Sequence, residues 1–452
     1  MGIYLRSFII NILLTFNFKI MRTLFVFIIL LATLCVYSQS NYNVIKQEGD
    51  LQKATVTQLG LKNTSDVYQT NKLHEAVVNQ TGANNTSEID QFRTVWDYYL
   101  DVATRATVNQ TGSKNTSKIY QYKGTYGGNT NWSLATVTQI SPNGSVGNIA
   151  EIDQNVCDYA TASIYQNGYS NNGKTKQLGN TSWATIYQDG INNEGIQYLW
   201  TTQTYADIKQ LGNNNKGYQT TLTPPVGKSK FWIYQFGNNN YSDQDIQGTA
   251  WGYADGNNTM TSDQYGNNNY SAQYILGGDN TAVVKQVGDY NDNEVQYNPA
   301  PNTNVEPSFD AYYMQYQNGY FNYAKIDLDG SYNHTAQYQL GDYNWTFMYL
   351  RGDKNNSAQQ QEGNWNKSDI YIYGNNNYAM TKQVEDTDYD PGYYHNIALI
   401  VQGTANLPVK LNCAGIDQDG QGNQAFIYEY SNSNYSNIVQ MGNNNYAYDY
   451  QK

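Results

Sequence analysis

The chain of 452 residues contains little charge, proline, cysteine or histidine. Charged residues make up 14% of it, and it has 8 Pro, 3 Cys and 3 His; a typical globular domain is about 25% charged. The net charge is -12 and Lys and Arg do not cluster, so a nucleic-acid partner is not expected. His74, His334 and His395 lie far apart and lack metal-ligand spacing. We therefore expect no metal and no cofactor.

Tyrosine and small or amide side chains are abundant instead. The sequence has 45 Tyr and 38 Gly, and Asn, Gln, Ser and Thr fill much of the remainder. Leu, Ile, Val and Phe are too few for a compact core in a chain of this length. The low proline content and the many aromatic residues argue against disorder. Such a chain must bury polar side chains in pairs, which favours a repeat architecture.

Residues 1–38 have the features of a secretory signal peptide. Arg22 follows a second possible start at Met21, the segment Leu24–Leu34 is apolar, and Ser38 precedes the expected cleavage point. The alternative is a membrane anchor made of both apolar stretches. The signal-peptide interpretation predicts a protein that is secreted to the cell exterior.

The remaining chain, residues 39–452, is predicted to form one repeat domain. Residues 1–20 then lie upstream of the true start. Cys157 and Cys413 stay in the exported chain, where a disulfide is chemically allowed. Their distance along a linear stack of repeats argues against one.

An eleven-residue repeat runs through this domain. In its clearest stretch a glycine recurs every eleven residues, at Gly319, Gly330, Gly341, Gly352, Gly363 and Gly374. An asparagine follows each glycine by three residues, at Asn322, Asn333, Asn344, Asn355, Asn366 and Asn377. Six glycines and six asparagines at the same eleven-residue spacing cannot arise from amino-acid composition alone. Strict internal repeats of this kind indicate a solenoid.

Two consecutive eleven-residue repeats form a larger unit near the start of the domain. One half ends A-x-V-x-Q and the other reads N-x-S-x-[VI]-x-Q, as in Ala54–Gln69. The corresponding residues are Gln58, Gln69, Gln80, Gln91, Gln110, Gln121, Asn63, Asn85, Asn115, Gly60, Gly82 and Gly112. At the other end of the chain the pattern continues through Gly442, Asn445 and Gln451.

Alternate positions of the unit are restricted, which is the period of a β-strand. Asn63, Ser65 and Gln69 would point to one side and Tyr68 to the other. The stretch x-G-x-x is a turn, where Gly allows a positive φ. The predicted fold is therefore all-β, a β-solenoid of stacked two-strand coils with about 22 residues per coil. We expect 15–17 coils and a length of about 70–80 Å at the β-spacing.

Stacking places each inward Asn and Gln about 4.8 Å above its counterpart. The side-chain amides can then form hydrogen bonds along the axis as a ladder, which satisfies groups that are otherwise costly to bury. The repeat is interrupted by extra residues, which we expect to form loops at the coil corners. These insertions are predicted at residues 92–105, 122–134, 140–147, 222–234, 298–316 and 384–401.

The pattern Q-x-G-x-x-N-x-x-x-x-x-Q resembles the curlin repeat of curli, the functional amyloid fibres of Gram-negative biofilms. The resemblance covers residues 45–451 and is best in Ala54–Gln69. It implies an extracellular fibre subunit that passes through an outer-membrane export pore and is nucleated at the cell surface by a nucleator subunit. The chain departs from the family in its number of repeats, its corner loops, and Leu328, Leu350 and Ile372 at inward Gln positions.

Three functions compete at this point: a fibre subunit, a monomeric binding solenoid or adhesin, and a β-helix enzyme. No carboxylate lies beside a cluster of His, Arg or Lys, so an enzyme is not expected. An ice-binding Thr array begins at Thr55 and Thr57 but does not continue. The adhesin hypothesis depends on outward tyrosines that could contact carbohydrate or another surface. They are Tyr241, Tyr270, Tyr323, Tyr378, Tyr435, Tyr446, Tyr68, Tyr120, Tyr165, Tyr187, Tyr234 and Tyr371.

Two short motifs are better explained by the repeat. Arg351-Gly352-Asp353 spells an integrin-type tripeptide, but Gly352 is a periodic turn glycine. Asn63 and Asn115 head glycosylation sequons, but both are predicted to point inward. The repeat extends from about Gln47 to Gln451 without a visible cap. Because open strands expose unpaired backbone groups, we expect the protein to bind itself and polymerise end to end into a homopolymer for biofilm matrix and adhesion.

Overall fold

The computed structural model describes residues 40–93, 103–123, 132–155, 159–179, 181–200, 203–221, 228–247, 257–297, 308–309, 311–385 and 395–452. These residues form 35 β-strands. Within these ranges no helix is long and apolar enough to cross a membrane.

The strands, in chain order, are β1 Tyr42–Asp50, β2 Lys53–Leu61, β3 Thr64–Lys72, β4 Glu75–Ala83, β5 Thr86–Arg93, β6 Thr104–Ser113, β7 Thr116–Lys123, β8 Ser133–Ile140, β9 Ile149–Asn155, β10 Thr161–Tyr169, β11 Asn172–Gln177, β12 Trp183–Ile191, β13 Glu194–Leu199, β14 Tyr205–Leu211, β15 Lys216–Thr221, β16 Lys230–Phe236, β17 Tyr241–Gln247, β18 Thr259–Tyr265, β19 Tyr270–Gly278, β20 Thr281–Val287, β21 Asp292–Tyr297, β22 Ser308–Phe309, β23 Tyr312–Asn318, β24 Tyr323–Asp329, β25 His334–Leu340, β26 Trp345–Arg351, β27 Asn356–Glu362, β28 Lys367–Asn375, β29 Tyr378–Val384, β30 Ile397–Gln402, β31 Val409–Lys410, β32 Cys413–Asp419, β33 Gln424–Glu429, β34 Tyr435–Met441 and β35 Tyr446–Gln451.

Successive strands alternate between two stacked parallel sheets. Sheet I contains β1, β3, β5 and their successors up to β33 and β35, and sheet II is a 16-stranded sheet from β2 to β34. Each strand pairs with the strand one coil later, as Ser65 with Ser87 in sheet I and Ala76 with Ala106 in sheet II. This architecture confirms the predicted β-solenoid. Sixteen coils at about 4.8 Å each give a stack about 77 Å long.

The interior is one narrow column between the two sheets. Strands alternate buried and partly exposed positions, as in Trp345–Arg351. In the early coils Val78 of sheet II accompanies Ser65 and Ser87 of sheet I in the core. Further along, sheet II carries Ile164 and the facing residue is Gly173, where an added Cβ would lie 2.8 Å from the Ile164 Cγ2 atom. Larger side chains on one sheet are thus matched by smaller ones on the other.

Insertions interrupt the coils but not their register. Gln80 pairs with Gln110 across 30 residues, and Gln383 pairs with Gln418 across 35. Most insertions follow a sheet I strand, whereas the opposite corner keeps a short glycine turn in most coils. The inserted segments lie largely outside the described residues. In residues 403–411 the sequence did not predict two features: an isolated antiparallel bridge between Thr404 and Leu407, and the short strand β31, which pairs with β28.

The predicted insertions are too long at their C-terminal ends. Residues 230–234, 312–316 and 397–401 belong to β16, β23 and β30 and not to loops. Their alternate side chains are buried, as at Phe231 and Ile400. Before β16 and β23 the usual Asn is replaced by Ser229 and Ala311, which concealed the start of the strand.

Candidate functional site

Sheet II contains an unbroken column of sixteen glutamines at the strand ends. Each Nε2 donates to the Oε1 of the next glutamine at a distance of 2.8–3.2 Å, for example Gln58 to Gln80 at 2.8 Å and Gln286 to Gln317 at 3.2 Å. A second hydrogen of the same amide binds a backbone carbonyl, as from Gln80 to Thr64 O at 2.9 Å. The members are Gln58, Gln80, Gln110, Gln139, Gln166, Gln188, Gln210, Gln235, Gln264, Gln286, Gln317, Gln339, Gln361, Gln383, Gln418 and Gln440.

The glutamine column of sheet I is shorter. It runs through Gln47, Gln69, Gln91, Gln121, Gln154 and Gln177. From Leu199 to Ile372 the same strand-end position is mostly aliphatic. Gln451 occupies it in β35, where its Nε2 donates to Tyr435 O.

A second amide column continues where the sheet I column stops. It lies two residues earlier in the strand, through Gln197, Gln219, Gln244 and Gln273. It then changes to sheet II through Gln315, Gln337 and Gln359. Leu328 and Leu350 replace the strand-end glutamine of sheet I. Their coils nevertheless contain a second buried glutamine in sheet II, Gln315 and Gln337 respectively.

Asparagines form a column at the start of the sheet I strands, with a bonding pattern that differs from the prediction. The backbone N–H of Asn344 donates to Asn322 Oδ1 at 2.9 Å, and Asn344 Nδ2 donates to Gly363 O at 2.8 Å. Side-chain to side-chain bonds occur in some steps, such as Asn85 to Asn63 at 3.1 Å. The column thus ties side chains to the turn backbone of the next coil more than to each other.

The predicted asparagines divide between the two corners of the coil. Asn63, Asn85, Asn115, Asn322, Asn344, Asn366 and Asn445 precede sheet I strands, while Asn333, Asn355 and Asn377 precede sheet II strands. In the sheet II column, Asn355 N–H donates to Asn333 Oδ1 at 3.0 Å. Asn445 closes the described column, where its N–H donates to Asn423 Oδ1.

All the predicted turn glycines have positive φ, between 94° and 135°. The glycines at or directly after the C-terminal ends of sheet II strands are Gly60, Gly82, Gly112, Gly319, Gly341, Gly363 and Gly442, and those at the ends of sheet I strands are Gly330, Gly352 and Gly374. The residue before each predicted asparagine is also left-handed, which the sequence analysis missed. Asn is tolerant of this conformation, and runs such as Gly374-Asn375-Asn376-Asn377, with Asn376 at φ 57°, were the available signal.

Exposed aromatic side chains stack into columns along the axis. At one corner Tyr290, Phe321, Tyr343 and Trp365 follow one another with ring centroids 4.8, 5.0 and 4.1 Å apart. All four have φ between 56° and 61°, a region that bulky residues seldom adopt. On the strand faces, outward tyrosines stack in the same way, as Tyr241 with Tyr270 at 5.0 Å.

The other sequence motifs have structural explanations. Gly352 is a turn glycine, and Arg351 and Asp353 bind Asp329 and Ser331 N of the preceding coil. Asn63 and Asn115 are fully buried, so their sequons are inaccessible in the fold. Within the described ranges no three His, Cys, Asp or Glu side chains form a group able to hold a metal ion. Cys157 lies outside the described residues.

Glu429 is an ionisable group within the ladder. It occupies the strand-end position of β33, is fully buried, and accepts a hydrogen bond on Oε2 from Gln402 Nε2 at 2.9 Å. Burial raises the pKa of its carboxyl from 4.5 to about 7, although the bond from Gln402 opposes this and the charge of Asp449 reinforces it. Its Oε1 has no partner among the described residues.

We expect Glu429→Gln to stabilise the protein at pH 8 but not at pH 4. Because the folded pKa lies above the unfolded one, the folded state binds the proton more tightly. Its contribution to stability is complete below about pH 4.5 and is lost as the pH rises through about 7. Thermal unfolding from pH 4 to pH 8 tests this, with the outward Glu362→Gln as the control. A stability difference between Glu429→Gln and wild type that stayed constant over this range would contradict it.

The two ends of the described stack have open strand edges. At one end β1 and β2 pair only with β3 and β4, and at the other β34 and β35 pair only with β32 and β33. Alternate residues of a parallel strand bond to opposite neighbours. Since Asn434 O and Asn445 O bind the preceding strands, the backbone groups of Asn437 and Tyr448 point toward the open edge. These edges can accept another parallel strand on each sheet.

No protein-family model and no curated protein matches this chain. Its class therefore rests on the fold and the ladders: it is a β-solenoid repeat protein with a hydrogen-bonded amide core and open strand edges in the described stack.

Proposed function

We propose that this protein is the secreted structural subunit of a curli-like extracellular amyloid fibre, which grows end to end and serves biofilm matrix and adhesion. The observation that carries the proposal is the match between the two open edges. Both present an inward amide side chain at the start of each strand, Asn41 and Gln52 at one edge and Asn434 and Asn445 at the other, and an inward Gln at its end. Their spacing is the one that joins coils within the chain. A second copy can extend these columns with the same hydrogen bonds.

Several features support this function over that of a monomeric solenoid. Solenoids that stay soluble close their terminal repeats with polar caps, and β1, β2, β34 and β35 have no described segment over them. Unpaired edges of this kind promote association. Repeated identical side chains stacked at the β-spacing are the hallmark of cross-β assemblies. The predicted export of the chain would keep these edges from pairing inside the cell, and the resemblance to curli supplies the nucleator and pore as proposed partners.

We expect proline at the open edge to stop assembly. Asn437→Pro with Tyr448→Pro removes two N–H groups that face the edge, without removing a hydrogen bond inside the fold. The purified variant should form no fibres. In small amounts it should also terminate elongation of wild-type fibres from preformed seeds, because it can add to an end but cannot be extended.

The matched control is Asn437→Ala with Tyr448→Ala, which removes the same side chains and keeps both N–H groups. It should elongate seeds nearly as fast as the wild type, as followed by electron microscopy and a fibre-binding dye. Equal elongation by the proline and alanine variants would refute the end-to-end mechanism.

The second candidate is an adhesin that binds carbohydrate or another surface through its aromatic columns. The observation that favours it is the exposed stack of Tyr290, Phe321, Tyr343 and Trp365, whose members are 41–51% exposed in an unusual backbone conformation. Aromatic surfaces of this kind suit sugars and apolar partners. A purified wild-type chain that stayed monomeric even with seeds would favour this function over the fibre.

A further inference from the structure

The two sheets contain different numbers of strands. Among the described residues, and apart from the two-residue strands β22 and β31, sheet I has 17 strands and sheet II has 16, and both β1 and β35 belong to sheet I. The described stack is therefore sixteen coils and one further strand. This odd half coil decides how a second copy can be placed on the first.

We propose that consecutive copies in the fibre are related by a half turn about the long axis, so that each sheet I continues into the sheet II of the next copy. β1 of the incoming copy pairs with β34, and its β2 pairs with β35. The inference rests on the proposed function, and it defines the partner surface within it. After β35 the next place along the solenoid path lies over sheet II, and in this arrangement β1 occupies it.

Without the half turn, the two copies cannot pair on both sheets. β1 then lies on β35, and β2 lies two strand spacings, about 9.6 Å, from β34. One strand position is left empty in sheet II, and the backbone groups along both of its edges have no partner. Each such group is costly to leave unpaired when it is buried. Because a strand of seven residues leaves several of them unpaired, the arrangement without the half turn is disfavoured.

The inward side chains of β34 match those of β1. Asn434, Ser436, Ile438 and Gln440 would stack on Asn41, Asn43, Ile45 and Gln47. The glutamine direction is also preserved, because every Nε2 donates toward the higher-numbered coil and Gln47 Nε2 already donates to Gln69. Gln440 Nε2 of one copy would therefore donate to Gln47 Oε1 of the next.

The contact between β35 and β2 is nearly as regular. Asn445, Ala447, Asp449 and Gln451 would stack on Gln52, Ala54, Val56 and Gln58. Asp449 meets an aliphatic residue in either arrangement, Val56 with the half turn and Ile45 without it. It therefore does not distinguish them, and the strand count does.

Cysteine pairs on the outer face test the arrangement. In a background of Cys157→Ser and Cys413→Ser, Val44→Cys is combined with either Asn437→Cys or Tyr448→Cys. Directly stacked residues of paired strands lie about 4.8 Å apart, which is within the Cα range of disulfides. With the half turn, Val44 stacks on Asn437; without it, Val44 stacks on Tyr448. Chains from which residues 1–38 have been removed are assembled under reducing conditions and then oxidised.

The half turn predicts that fibres of the Val44/Asn437 pair give a long ladder of covalent oligomers on non-reducing gels, and that those of the Val44/Tyr448 pair give at least tenfold less. The reverse result overturns the half turn and leaves end-to-end growth in place. Absence of fibres from the wild-type chain overturns both, so the two failures are distinguishable.

Image reconstruction of wild-type fibres provides a second measurement that needs no cysteine variant. We expect successive copies to be related by about 180°, adjusted by the twist of the stack, with a rise of about 79 Å from 16.5 coils at 4.8 Å. Copies that present the same face along the fibre, apart from gradual twist, would overturn the half turn.

Discussion

Replacing Gln339 with leucine should lower the free energy of unfolding by about 3–6 kcal/mol. Gln339 Oε1 accepts from Gln317 Nε2 at 2.8 Å, and its Nε2 donates to Gln361 Oε1 and to Tyr323 O, both at 3.0 Å. Leucine fills a similar volume but removes one hydrogen bond from each of these three neighbours in the core. Each unsatisfied buried group costs about 1–3 kcal/mol.

Tyr338→Leu is the matched control, since it introduces the same side chain at the next residue on the outside of the coil. It loses the stacking of Tyr338 on Tyr316, with ring centroids 4.9 Å apart, which is a loss of about 0.5–1.5 kcal/mol. Denaturant unfolding of both variants in the proline edge-blocked background allows the monomer to be measured. Equal destabilisation would show that the ladder contributes no more than ordinary surface packing.

Gly341→Ala is expected to cost more than about 3 kcal/mol, and Gly144→Ala much less. Gly341 has φ 106°, and an added Cβ would lie 2.2 Å from the carbonyl oxygen of Gly363 in the next coil. That oxygen also accepts the Asn344 side chain, so the coils must separate locally and weaken the asparagine column. Backbone strain at a positive φ alone costs about 1–3 kcal/mol.

Gly144 separates strain from overlap. It has φ 84° but nothing lies within 4 Å of its Cβ position, so its alanine variant shows the strain alone. Unfolding midpoints of the two variants, compared with wild type, provide the measurement. Loss of the same stability in both would mean that the close approach between coils at Gly341 is accommodated without cost.

The sequence predicted the parts of this molecule that repeat strictly. The spacing of Gly341, Asn344 and Gln339 fixes the strand, the turn and the inward side, because a one-residue shift would turn every side chain to the other face. The length of the coil and the parallel stacking follow from it. These features are local and periodic, so one chain contains many copies of the same signal.

What the sequence did not predict depends on contacts between coils or between sheets. The second amide column at Gln197 follows from which side chains face each other across the core, and this is not visible along one strand. The asparagine N–H to Oδ1 bonds depend on the exact rise between turns. The boundary of β16 was misplaced because Ser229 replaces the marker asparagine. The strand count of the two sheets could be obtained only after such boundaries were known.

The glutamine column of sheet II also gives the stack an electrical direction. Each hydrogen bond between its glutamines runs from Nε2 of one residue to Oε1 of the residue in the next higher coil, from Gln58 to Gln440. Strand peptide dipoles largely cancel because they alternate, but these side-chain dipoles add, and each hydrogen bond polarises the next. The positive end of the summed dipole lies at β34 and the negative end at β2. The two ends of the solenoid are therefore chemically different, and head-to-tail contact, which brings unlike poles together, is favoured over contact between like ends.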